Sequence, residues 1–181
     1  MEKISVEQLL SDYASGRRNF REVDLSQANL FECNLQEIDL QDSDLSGAYL
    51  PYANLSRANL KNVKLSRAEL GNARLQMANL VNADLQQATL LRADLAYCQL
   101  QQAILVQANL QGADLRHANL TATDCTGADL SDANLEQAQL IQTNLRRCNL
   151  FRSIVSSFDR ACYDDTTVFP DGYRSGDPER P

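Results

Sequence analysis

The chain has 181 residues, 44% of them apolar, with 6% aromatic content, no Trp and seven Gly, so one domain is expected and its interior must be filled by aliphatic groups rather than large rings. A formal charge of -7 disfavours direct binding to nucleic acid or an anionic membrane, because phosphate recognition needs a clustered basic surface. Five cysteines with no CxxC pair, at Cys33, Cys98, Cys125, Cys148 and Cys162, argue against a disulfide framework and for small buried hydrophobes.

The first predicted element is a capping helix within residues 1–17. Ser5 and Gln8 form a capping-box pattern, Ile4 and Leu9 a hydrophobic staple, and Val6, Leu9, Leu10 and Tyr13 share one helical face that Gly16 terminates. Glu7 and Asp12 on this helix, with no basic cluster, argue against an amphipathic membrane anchor. The N-terminus lacks a basic start followed by an apolar run, and no window approaches 18 apolar residues, which predicts a soluble cytoplasmic protein.

Residues 18–152 form an internal repeat. From Leu25 to Leu150 every fifth residue is Leu except Cys125, 25 of 26 positions, and two residues earlier stands a small residue, as at Ala53, Ala58, Ala68 and Ala73. A period of five matches neither helix nor flat strand. For Leu to face inward throughout, the backbone must turn by a constant angle every five residues, which a closed four-sided tube satisfies. Residues twenty apart become vertical neighbours in a ladder, and 27 pentapeptides make six to seven coils, a rod roughly 30 Å long.

The units Ala58-Asn59-Leu60, Ala83-Asp84-Leu85 and Ala113-Asp114-Leu115 resemble the pentapeptide-repeat family. That resemblance implies an all-β solenoid, a right-handed quadrilateral β-helix, here with an N-terminal helical cap. Residues 14–20 resemble the entry into the first coil in cyanobacterial members, including a heterocyst-differentiation regulator, which implies a regulatory role in a cyanobacterium; residues 163–173 resemble a tail found after the repeats in cyanobacterial relatives, which implies origin more than activity. After the repeats, residues 153–170 are expected to close the tube with Phe158, Tyr163 and Phe169, and residues 171–181 to form a polar tail that does not pack.

No enzyme is predicted. His117, the only histidine, faces outward without a pocket, and with scattered cysteines it makes no zinc set. Asp24 and Asp44 stack in the column that later carries Asp84 and Asp124, but an exposed acid ladder lacks the enclosing oxygens that calcium requires. No cofactor is expected.

Folding the outward positions on the twenty-residue period groups Phe31, Pro51, Leu91 and Phe151 in one column, beside Tyr52 and near Tyr49, and Met77, Tyr97 and His117 in a second. Outward aromatics have no core duty and mark candidate surfaces for an unidentified protein partner or a second copy, in a monomer or weak homodimer. The alternative is mimicry of nucleic acid, since some family members resemble duplex DNA in size and charge and bind DNA gyrase. Charge placement weighs against it: acids gather at residues 22–44 and 84–136, while Arg57, Lys61, Lys64, Arg67 and Arg74 form a basic band between.

Overall fold

A computed structural model describes residues 1–158, 160–174 and 177. Each pentapeptide makes one side of a four-sided, right-handed β-helix, and parallel bridges join residues twenty apart, such as Asp24 to Asp44 and Asp44 to Lys64. The hydrogen bonding follows one rule per position. Leu25 N–H donates to the Asp44 carbonyl at 2.8 Å, Gln27 N–H to Ser46 at 3.0 Å and Asp44 N–H to Val23 at 2.9 Å. These bonds tie each coil to its neighbours above and below.

Corners are tight turns closed within the coil, as where Ala28 N–H donates to Leu25 carbonyl at 3.0 Å. The third residue of every turn from Glu22 to Arg152 has positive φ, and 24 of these 27 are not glycine. The left-handed region costs an L-residue roughly 1 kcal/mol or more, so the corners are held open by ladder and core rather than by local preference. One N–H per turn is left over, and at most of the turns where an Asx residue precedes Leu its side chain accepts it: Ser26 N–H donates to Asp24 Oδ1 at 2.9 Å and Thr121 N–H to Asn119 Oδ1 at 3.0 Å. Where Tyr49 replaces the Asx, Pro51 follows, which has no N–H to satisfy.

The interior is a column of leucines, each at most 3% exposed, interleaved with small residues. Polar members of the small column are satisfied inside. Ser43, Thr123 and Thr143 hydroxyls donate to the carbonyls of Phe20, Leu100 and Leu120, and the Cys98 and Cys148 thiols to those of Leu75 and Cys125.

At the upper end β1 (Glu2–Lys3) pairs in parallel with β2 (Val23–Asp24), and α1 (Val6–Ala14) lies between them in the chain. Ser5 Oγ accepts from Gln8 N–H at 3.1 Å, but the Gln8 side chain donates to Asp12 rather than back to Ser5, so only half of the expected capping box forms. Gly16, at φ +101°, ends the helix, with Gly16 N–H on the Tyr13 carbonyl and Arg17 N–H on that of Asp12, the paired bonds of a left-handed C-terminal stop. Leu9 is fully buried over the first coil.

The lower end departs from expectation in two places. The repeat continues past Arg152, because β4 (Ile154–Val155) pairs with β3 (Asn134–Leu135) twenty residues before it. Beyond that the register shortens: Asn144 bridges to Cys162 and Asn149 to Val168. Phe158 and Tyr163 meet Phe169 edge to face at 5.2 and 5.1 Å. Residues 171–174, expected not to pack, turn back instead. Phe169 N–H donates to the Tyr173 carbonyl, and Gly172 sits at φ +89°, where a Cβ would be strained and would stand a tight 3.2 Å from the Phe151 ring. The other tail residues, 175–176 and 178–181, lie outside the described residues.

Two outcomes follow from this packing. Leu85→Ala removes a fully buried side chain and should cost about 2–5 kcal/mol in urea denaturation, while the exposed neighbour Gln86→Ala should stay within about 0.5 kcal/mol. The Asp164 carboxyl is held down to about 2, first by the Thr166 hydroxyl and further by N–H groups of Arg147 and Thr166. A depressed carboxyl stabilises the fold above its ordinary value of 3.8 and loses that contribution as pH falls toward about 2. The thermal midpoint of the wild type should therefore fall more steeply across that window than that of Asp164→Asn.

Candidate functional site

Three of the predicted aromatics come together. Phe31 and Tyr49 stack with centroids 5.9 Å apart and planes 18° apart, and Tyr52 meets Phe31 edge-on at 6.1 Å. Their positions in the repeat force them outward, where they are 43%, 41% and 52% exposed. The backbone beneath is fixed: Phe31 N–H is held by Asn29 Oδ1 at 3.1 Å, and Tyr52 N–H donates to the Gly71 carbonyl at 3.0 Å. Pro51 adjoins this cluster in sequence. Leu91 shares its column but lies two coils below Pro51, with Gly71 between. Phe151 is at the opposite end of the tube, where Arg152 lies 5.7 Å from its ring and Gly172 packs against it.

The second column holds as a physical strip. Met77, Tyr97 and His117 occupy the left-handed corner position on successive coils, at φ between +58° and +61°. The Tyr97 and His117 rings stack at 4.6 Å and 9°. Against this strip runs an open groove of about 540 Å³, lined among others by Arg57, Arg74, Gln76, Met77, Tyr97 and Arg116. Ala96, small and 6% exposed, forms part of its floor.

A neighbouring cavity of about 490 Å³ is lined by Glu32, Tyr52, Asn72 and Arg74. Arg74 lines both, so the two aromatic clusters border the same side of the tube. In the sequence Arg74 is legible only as part of a basic band. Its place between Tyr52 and Tyr97 depends on corner geometry that column counting does not supply.

Three thiols and the acid column are committed to structure. Burial pushes the thiols of Cys98 and Cys125 well up and that of Cys148 to about 12. Ser26, through its hydroxyl and then its N–H, holds the Asp24 carboxyl below its ordinary range, and Asp44 pairs with Lys64 at 3.8 Å. The acid column therefore serves its own turns. Among the described residues no three His, Cys, Asp or Glu side chains are grouped to hold a metal, and no helix is long and apolar enough to cross a membrane.

The family model for pentapeptide repeats matches in eight copies, through residues 18–47, 38–76, 73–112, 93–129 and 113–150. The chain belongs to the pentapeptide-repeat family. Among solved members of similar fold, HetL from the cyanobacterium Nostoc sp. strain PCC 7120 is 24% identical over 94% of this chain and 99% of its own, with a TM-score of 0.59. QnrB1, a plasmid-mediated fluoroquinolone resistance protein, is 18% identical over 81% of this chain and 80% of its own, at 0.50. Rfr23 from the cyanobacterium Cyanothece 51142 is 26% identical over 78% and 90%, at 0.37. No curated protein matches the chain.

The thiol environments give a direct check. Cys162 is exposed, Cys33 is half-buried with its thiol pushed up by burial, and the other three are buried. A thiol reagent added to the native protein should label Cys162 rapidly, Cys33 slowly and the buried three only after denaturation, as read by peptide mass mapping.

Proposed function

We propose that this pentapeptide-repeat protein is a non-catalytic scaffold that presents a rigid surface for protein–protein interaction in a regulatory role. The observation that carries this reading is the exposed Phe31, Tyr49 and Tyr52 cluster. Aromatic side chains supply large contact area at low conformational cost and are enriched in interface centres. A backbone bonded to neighbouring coils on both sides presents them with little ordering left to be done on binding.

HetL, which shares the fold, is a protein involved in heterocyst differentiation regulation, and that supports the regulatory part of the reading. Mimicry of duplex DNA is the weaker alternative, because Arg57, Lys61, Lys64, Arg67 and Arg74 interrupt the acidic surface at mid-length.

The test replaces Phe31, Tyr49 and Tyr52 together with Ser. Recovery of partner from the native cell should be lost while the thermal midpoint changes little, since none of the three rings is in the core. Equal recovery by the variant would refute the reading. Added to DNA gyrase in a supercoiling assay, the purified protein should leave the rate unchanged; inhibition or protection at micromolar concentration would transfer the conclusion to the mimic.

A further inference from the structure

The side of the tube between the two aromatic clusters carries three guanidinium groups in different states. Arg116 is committed, since its Nε and Nη2 bind the Asp114 carboxylate at 2.6–3.0 Å. Arg57 has one long contact, 3.4 Å to Glu37, with both side chains more than half exposed, a kind of surface pair that a competing carboxylate readily replaces. Arg74 makes no ion pair among the described residues. It lines both cavities.

The surrounding carboxylates leave Arg74 available. Asp114 is held by Arg116, Asp94 accepts a hydrogen bond from the Gln76 amide, and Glu37 faces Arg57. Among the described residues Glu32, beside Tyr52, is the one carboxylate lining either cavity. An unpartnered cation bordered by Tyr52 in one cavity and by Met77 and Tyr97 in the other selects an anionic group attached to apolar material.

Shape narrows the choice. The groove runs from Gln36 to Arg116, residues that stand four coil spacings apart, or about 19 Å at ladder pitch. An extended peptide advances about 3.3 Å per residue and would fill it with about six residues. A nucleic-acid strand is disfavoured, because a continuous row of phosphates needs a clustered basic surface, whereas this side offers two available guanidinium groups, Arg57 and Arg74.

We propose that this side of the tube binds an extended acidic segment of a partner protein. Its carboxylates lie on Arg74 and Arg57, and its apolar side chains lie against Tyr52, Met77 and Tyr97. This rests on the scaffold reading above and adds the chemistry of the partner.

The probe is a fluorescein-labelled eight-residue peptide of alternating Glu and Phe, followed by anisotropy, with a peptide of alternating Gln and Phe as control. The acidic peptide should bind and the control should not, and salt should weaken binding. Arg74→Gln and Tyr97→Ser should each weaken it about tenfold with unchanged thermal midpoints. No binding at millimolar peptide, or equal affinity for wild type and Arg74→Gln, would overturn the proposal. So would a concentration-dependent dimer in sedimentation that Arg74→Gln abolishes, which would assign the groove to a second copy. Partner capture separates the two claims: recovery lost in the aromatic triple variant but kept by Arg74→Gln leaves the scaffold reading standing and removes the acidic segment.

Discussion

The chain must turn a corner every five residues, and it does so through a residue that sterics would rather keep out of that conformation. At 24 of the 27 corners from Glu22 to Arg152 an ordinary L-residue sits at positive φ. No single turn would hold this alone. Most are locked by an internal bond, many also by an Asx acceptor before the turn, and all by ladder bonds to neighbouring coils, so the fold is cooperative along its axis in the manner of other stacked repeats. The caps matter for the same reason, since β1 and residues 162–174 supply partners to coils that would otherwise end on unpaired backbone.

The same lattice organises the exterior. Vertical neighbours stand one ladder spacing apart, about 4.8 Å, which suits both stacked rings and amide-to-amide bonds. Tyr97 and His117 stack at 4.6 Å. Asn62 donates to Asp42 at 2.7 Å and Asn82 to Asn62 at 3.1 Å, and Gln87 donates to Gln107 at 3.0 Å. Surface side chains on this protein are thus partly ordered by the pitch beneath them, before any partner arrives.

Much of the fold was legible because period and phase are arithmetic. Leu at every fifth residue identifies the inward direction, and the twenty-residue period assigns each outward residue to a column. Columns give direction around the tube but not proximity along it, which is why Phe31 and Phe151 share a column although they lie at opposite ends. Nor do they reveal that different columns border one groove, so the sequence does not mark Arg74 as a site residue. The frequent Asx before Leu is visible as a recurrence but not as the acceptor for an orphan N–H. Polarity alone does not reveal the turn at residues 171–174, which rests on backbone bonds and lies against the Phe151 ring.

Because every side of the tube is one pentapeptide and every level is four, insertions act on this surface in two distinct ways. Twenty added residues would move everything downstream along the axis by about 4.8 Å without rotating it. Five would rotate the downstream surface by about a quarter turn, swinging His117 away from the side it shares with Arg74 while leaving each Leu still pointing inward. Selection can therefore rearrange binding geometry in whole steps of height and angle while the core stays the same, a freedom that a domain built around one irregular interior does not have.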